Sequence, residues 1–225
     1  MKTILSALTL AVSSFVLAGC SVFGSQGVDI APYTATQTDG AIEIRTYKEM
    51  VLATTPMEGG MRKGDNGAFF RLFDYISGKN TSSAKIPMTA PVFMADADKS
   101  AIAAPASGEK IPMTAPVLMN DPGDSSNASP TMSFVLPATM NFDSAPRPTN
   151  AQVKLEKITD YTVAAIRFSG LLSDKNIANN RQKLESWITA SGYTVTGAYI
   201  VAGYDPPYTL PMFRRNEILI PVKKK

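Results

Sequence analysis

The feature that most constrains the fold is a ten-residue segment that occurs twice. Lys85-Ile86-Pro87-Met88-Thr89-Ala90-Pro91-Val92-Phe93-Met94 recurs as Lys110-Ile111-Pro112-Met113-Thr114-Ala115-Pro116-Val117-Leu118-Met119, offset by 25 residues and differing only where Phe93 is replaced by Leu118. Prolines four residues apart cannot sit inside a helix, because each lacks the N–H the helix needs and its ring clashes with the preceding turn. The copies therefore read as two neighbouring extended segments, with proline at edges, bulges or strand starts. Two copies are too few for a solenoid, which needs at least three repeats to bury a continuous core. In extended chain, residues an even number apart share a face, so Met88 pairs with Met94 and Met113 with Met119. Residues 95–109 and 121–130, rich in small and polar residues, read as exposed loops.

The rest of the chain repeats one order of elements. Ala41-Ile42-Glu43-Ile44-Arg45-Thr46-Tyr47 alternates apolar and polar residues and continues through 50–55 as a strand bounded by Pro56. A helix follows, capped by Asp65 or Asn66, with Phe69, Leu72, Phe73 and Ile76 at helical spacing and a stop at Gly78 and Asn80. Residues 131–137 form another strand. The second round has strands at 152–158 and 161–168, meeting at a Thr159-Asp160 turn. Its helix is capped by Ser173 or Asp174, carries Ile177, Leu184, Trp187 and Ile188 inward, and ends at Gly192. Strands at 193–202 and 217–222 flank a proline-rich corner at 204–211. This order predicts an α+β fold: a duplicated strand-helix-strand-strand unit forming a distorted antiparallel β-barrel-like sheet flanked by two helices.

The chain has no histidine and a single cysteine, Cys20, which excludes an imidazole base, a His–Cys metal cluster and an internal disulfide. That cysteine ends a leader. Lys2 is followed by an apolar run at 4–17, too short for an ordinary spanning helix, and then by Leu17-Ala18-Gly19-Cys20. The pattern resembles a bacterial lipoprotein signal, which implies cleavage before Cys20 and its acylation. Residues 1–19 are then a signal peptide, 20–39 a lipidated tether, and 40–225 the folded domain. Several acyl chains hold a protein on its membrane where one does so only marginally. Ser21, where an Asp would resemble a retention signal for the inner membrane, places the anchor in the outer membrane facing the periplasm. No nucleic-acid partner is expected, and Lys223, Lys224 and Lys225 read as a solvated basic tail.

Several blocks in order resemble the SOUL haem-binding protein family over roughly residues 40–222. They are Phe69-Phe70-Arg71-Leu72-Phe73-Asp74-Tyr75-Ile76-Ser77-Gly78-Lys79-Asn80, both Lys-Ile-Pro-Met-Thr-Ala-Pro-Val copies, Arg147-Pro148, Val163-Ala164-Ala165-Ile166-Arg167-Phe168-Ser169-Gly170, and the stretch from Tyr204-Asp205-Pro206-Pro207-Tyr208-Thr209 through Arg214-Arg215-Asn216-Glu217-Ile218-Leu219-Ile220-Pro221. The resemblance implies a barrel-like sheet with two helices and binding of haem or another tetrapyrrole without turnover. It also implies two modes of binding. One uses a histidine on the iron, which this chain does not have; the other holds the macrocycle in an apolar surface groove beside the first helix, with basic side chains near the propionates.

A tetrapyrrole is a flat apolar disc with two carboxylates at one edge, so its receptor needs apolar walls and a cation at the rim. Phe69, Phe70 and Phe73, with Arg71 among them, supply these groups on the first helix. Phe69 and Phe73 also fit the core face that any surface helix needs, whereas Phe70 lies at the edge of that stripe. Arg71 is either a propionate partner or a solvated charge. Met88, Met94, Met113 and Met119 either line a pocket or fill the barrel, and Tyr75 is a further oxygen ligand candidate. Arg214, Arg215 and Glu217 read as charges pairing across a corner. Gly59-Gly60 and Gly64 lack the Gly-Lys-Ser/Thr context of a phosphate loop. Two other classes stay open. One is a module for a different amphipathic small molecule or an envelope partner. The other, ranked last for want of histidine or a visible carboxylate pair, is an enzyme that removes metal from a tetrapyrrole.

Overall fold

A computed structural model describes residues 28–58, 66–81, 108–120 and 129–225. Its organising elements are two strands of 15 residues each, β2 (Ile42–Pro56) and β7 (Lys154–Phe168). They pair antiparallel from Ile42 opposite Ile166 to Thr54 opposite Lys154. Lys48 and Asp160 are missing from an otherwise unbroken register, and Asp160 has φ +48°, a conformation Asp tolerates better than most residues. Inward-facing residues change parity there on both strands at once, from Tyr47 to Met50 and from Tyr161 to Ile158. The expected Thr159-Asp160 turn is therefore a twist inside one continuous strand, because β2 runs on beside it.

The remaining elements are arranged as two halves around that point. β1 (Thr34–Asp39) precedes β2. The first half continues with α1 (Asn66–Ile76), β3 (Asn80–Thr81), β4 (Val117–Asn120) and β5 (Thr131–Val135). After β6 (Arg147–Pro148) and β7, the second half has α2 (Asp174–Ala190), β8 (Tyr193–Val195), β9 (Ile200–Gly203), a 3₁₀ turn (Pro211–Phe213) and β10 (Asn216–Lys224). β5 pairs with β2 as β10 pairs with β7, β4 with β5 as β9 with β10, and β4 meets β9. The β2–β7 and β4–β9 contacts close six antiparallel strands into a barrel, and both helices lie on its outside.

Three apolar clusters result. Val163, Ala165, Leu219, Leu118, Leu52 and Tyr204 fill part of the barrel interior. Ala68, Leu72, Tyr75 and Ile76 of α1 pack on the outer-face residues Val51, Ala53 and Phe134. Ile177, Leu184 and Ile188 of α2 pack on Ile44, Ala164, Ile166, Ile218 and Ile220. Each fully buried Leu contributes about 1.5–3 kcal/mol relative to exposure, which is what holds the helices down. Ser173 caps α2 by accepting the Asn176 N–H at 3.4 Å, and positive-φ glycines follow both helices, Gly78 at +112° and Gly192 at +76°.

Three boundaries differ from expectation. The folded region begins before Gly40: β1 forms a hairpin with β2 through Gly40, and upstream of it Asp29 accepts the Ala115 N–H at 2.9 Å. The tether expected over residues 20–39 thus ends earlier: β1 is an exposed edge strand, where polar side chains are at home. In the second repeat copy only Val117–Asn120 is strand, since Pro112 and Pro116 cannot donate to a ladder. Residues 193–202 split into β8 and β9 where Gly197 comes so close to Pro221 that an added Cβ would lie 3.2 Å from the proline ring. The first copy, residues 85–94, lies outside the described residues, as do the leader and Cys20.

Candidate ligand-binding face on the first helix

Successive residues of a helix are about 100° apart, so the side chains of α1 can be ordered around its axis. Ala68, Leu72 and Tyr75 point at the barrel and are buried. Phe69, Phe73 and Phe70 then follow in angular order from the core edge to solvent. Phe69 is half-buried against the core cluster, Phe73 is 43% exposed and Phe70 is 59% exposed. The stripe of Phe69, Leu72, Phe73 and Ile76 expected to face the core is thus rotated, with Phe73 turned outward and Tyr75 inward. Tyr75 takes the inward place because its hydroxyl donates to the Pro146 carbonyl at 2.9 Å.

The three phenylalanines form one aromatic flank. Phe69 meets Phe134 of β5 edge-on at 5.4 Å, stacks with Phe73 at 6.1 Å and 14°, and meets Phe70 edge-on at 6.0 Å. Such pairs each contribute about 0.5–1.5 kcal/mol beyond their buried area, which fixes the exposed rings against a ring anchored on the sheet. An exposed, preorganised apolar surface is what a flat macrocycle can stack on.

The other expected site residues are distributed differently. Arg71 turns back to the sheet, donating from Nε to Thr55 Oγ1 at 3.0 Å and from Nη2 to the Pro56 carbonyl at 2.5 Å. Tyr75 is on the core side, and burial pushes its phenol up to about 12, against the tyrosinate that iron ligation needs. Met113 is 45% exposed ahead of β4, while Met119 is half-buried on the barrel's outer face against both helix clusters. They do not share the regular strand face expected of them. Met88 and Met94 lie outside the described residues. A cation that sequence reading missed sits at the end of α1: Lys79 pairs with Asp74 at 2.8 Å, both largely solvent-exposed. Asp74 lies one turn beyond Phe70 and about 40° from it, whereas its partner Lys79 is five residues further on, outside the i, i+3 and i, i+4 spacings that mark helical pairs.

A cleft of about 210 Å³ lies at the barrel rim, lined by Ala31, Met50, Val135, Leu136 and Met140 among others. Another of about 220 Å³ lies beside Arg181, Glu185 and Tyr199. Both are smaller than the roughly 300–1,000 Å³ of ordinary small-molecule pockets, and neither is lined by Phe70 or Phe73. Among the described residues no group of three or more acidic or cysteine side chains could hold a metal ion, and no helix is long and apolar enough to cross a membrane.

A second polar centre is inside the barrel. Glu217 of β10, fully buried, accepts from Arg45 Nη1 at 2.5 Å and Nη2 at 3.1 Å, from Arg215 Nη2 at 2.7 Å and from the Tyr204 hydroxyl at 2.7 Å. Arg45 also lies over the Tyr33 ring at 4.4 Å, and Arg215 over Tyr204 at 4.0 Å. Burial alone would raise the Glu217 carboxyl, but the hydrogen bonds and charges of the two arginines outweigh it and hold the group below its ordinary value. Arg215 and Glu217 pair as expected, whereas Arg214 donates instead to the Thr209 and Pro207 carbonyls. Both Glu217 oxygens accept from more than one donor, so the carboxylate is tied into a structural network.

The class that these elements define is an α+β domain built on a duplicated, closed barrel, with stacked aromatic rings on an outer helix. The chain belongs to the SOUL heme-binding protein family, whose sequence profile matches residues 28–104 and 101–221. It is 28% identical over 190 residues to heme-binding protein 2 of Homo sapiens, covering 84% of this chain and 81% of that protein. It is 27% identical over 184 residues to heme-binding protein 1 of Xenopus tropicalis, covering 81% and 84% respectively. Among solved structures, the EcmrR C-terminal domain superposes with a TM-score of 0.48 at 12% identity, covering 86% of this chain and 99% of that one.

Proposed function

We propose that this protein binds haem or a related tetrapyrrole on the aromatic flank of α1, while anchored to the outer membrane through an acylated Cys20. The observation that carries the reading is the exposed Phe70–Phe73 surface, stacked through Phe69 on the sheet, in a chain of a heme-binding family. The macrocycle lies on the flank by shape and apolar contact. With no histidine in the chain, the protein supplies no imidazole to the iron.

Lys79 is the propionate partner in this reading, since Arg71 is committed to Thr55 and Pro56. An exposed ion pair such as Lys79–Asp74 contributes only about 0–1 kcal/mol, so a ligand carboxylate can take the lysine without disturbing the fold. The protein is a binder and carrier and not a catalyst.

Titration of apoprotein with haemin tests this, with a saturable Soret shift at micromolar haemin expected. A shift that is not saturable, or its retention in full by Phe70→Ala with Phe73→Ala, ends the reading. Native mass spectrometry of protein from its own cells would reveal a different amphipathic ligand. Phase partition in detergent tests the anchor: the wild-type chain enters the detergent phase and Cys20→Ser stays aqueous.

A further inference from the structure

One end of the barrel carries an apolar rim that tetrapyrrole binding on α1 does not use. The corner between β9 and β10 exposes Tyr208 and Met212, each at 67%, together with Leu210 and Phe213. Leu171 joins them from the β7–α2 turn, which is tied to the corner because the Gly170 N–H donates to the Pro211 carbonyl at 2.8 Å and Asn216 Nδ2 donates to Gly170 O at 2.9 Å. The corner itself is held in shape. Arg214 spans it to the Thr209 and Pro207 carbonyls, and Asp205 accepts the Arg215 N–H at 2.6 Å. Large apolar side chains presented outward on a fixed loop are an interaction surface, since a monomer gains nothing by exposing them together.

The path of the chain indicates what covers the rim. The first described segment crosses the same end of the barrel: Ile30 bridges Ala115, and Val117, two residues further on, pairs with Gly203, which leads directly into the corner. Val28 and Ile30 are themselves exposed there. Cys20 is only eight residues before Val28, and eight residues extend at most about 28 Å. A short lead from the lipid therefore delivers the bilayer to the end of the barrel where the apolar rim lies.

We infer that Tyr208, Leu210, Met212, Phe213 and Leu171 form a lipid-contacting face that seats this end of the barrel on the surface of the bilayer. This rests on the acylation of Cys20. Tyrosine at the margin and aliphatic or phenyl side chains at the centre suit the headgroup–acyl boundary, and a shallow second contact converts a tethered domain into one of fixed orientation. The rim shares no residue with the aromatic flank of α1.

The test places a thiol-reactive environment-sensitive fluorophore on Met212→Cys, and in a parallel preparation on Lys154→Cys at the opposite end of β7. The lipidated full chain is reconstituted into vesicles of phosphatidylethanolamine and phosphatidylglycerol containing nitroxide-labelled lipid. A blue-shifted emission at position 212, quenched severalfold more by the nitroxide lipid than at position 154, is expected. Equal quenching at the two positions with one fluorophore per chain overturns the lipid-contacting face and leaves the anchor standing. A position 212 shielded from both nitroxide lipid and aqueous iodide also overturns it, because a second copy or another protein then covers the rim. Two fluorophores per chain would show that Cys20 is a free thiol, which removes the anchor and with it the basis of the inference.

Discussion

The guanidinium of Arg45 and the carboxylate of Glu217, separated by 172 residues in sequence, meet inside the barrel through two hydrogen bonds of 2.5 and 3.1 Å. They come from β2 and β10, the strands on either side of β7, so the pair bridges the two halves of the duplicated fold across its central contact. Removing one partner leaves the other charge buried. Arg45→Ala is therefore expected to destabilise the domain by about 3–5 kcal/mol in urea unfolding. Exchanging both groups for apolar side chains, Arg45→Met with Glu217→Leu, should cost less than the sum of the single changes, and strict additivity in that cycle would deny the coupling.

The same pair sets a pH dependence. Glu217 has its folded value depressed, so its contribution to stability is fully present above the ordinary value of 4.5 and is lost as pH falls through the depressed value. Thermal unfolding followed from pH 7 downward should show the melting temperature falling below about pH 4.5. In Glu217→Gln the overall stability is lower and the acid fall shallower. A parallel acid fall in the two proteins would assign it to other carboxylates.

Why this pair escaped sequence reading is a matter of which face of a strand is buried. In Ile42-Glu43-Ile44-Arg45 the alternation assigns Ile44 inward and Arg45 outward, as in a sheet with one wet face. In a barrel covered by a helix both faces are dry, and the assignment inverts: Ile44 lies outside under α2, and Arg45 lies inside. Where one face is plainly dominant the pattern was sufficient. The cap at Ser173, the stripe of Ile177, Leu184 and Ile188, and the stop at Gly192 all stand as the residues suggested. The duplicated order of elements and a barrel-like antiparallel sheet with two helices were also legible, because strand and helix signals recur in the same order; its closure through the β2–β7 and β4–β9 pairings was not. On α1 the helix was legible but its rotation was not, since a Tyr that bonds the Pro146 carbonyl competes with Phe73 for the core side, and spacing alone cannot rank them. Lys79 was hidden for a related reason: a surface ion pair carries no apolar periodicity.

Tyr75 separates packing from ligation. Its hydroxyl donates to Pro146 O from a position 1% exposed, and burial holds it protonated through the neutral range. Tyr75→Phe should cost about 1–3 kcal/mol for the carbonyl left without its donor, measured by chemical denaturation. The spectrum of bound haem should not change in position or shape. Loss of a tyrosinate-to-iron charge-transfer band in the variant would instead put this phenol on the metal.

Phe70 and Leu72 are two residues apart on α1 and face opposite ways, which makes them a matched pair for telling ligand surface from core. Leu72 is fully buried beneath the helix, so Leu72→Ala leaves a cavity and should cost about 2–5 kcal/mol. Phe70 is 59% exposed and meets Phe69 edge-on, so Phe70→Ala should cost no more than about 1.5 kcal/mol. Affinity for haemin runs the other way. Phe70→Ala gives up stacking area on the ligand and should weaken binding about tenfold, equivalent to about 1.4 kcal/mol. Leu72→Ala, measured where the protein is still folded, should bind within about a factor of two of wild type, because its side chain points at the barrel, on the far side of the helix from Phe70. Unfolding curves and haemin titrations on the same two variants read both quantities. A Phe70→Ala protein that loses several kcal/mol of stability and keeps its haemin affinity would make the exposed ring a packing residue and move the macrocycle elsewhere on the barrel.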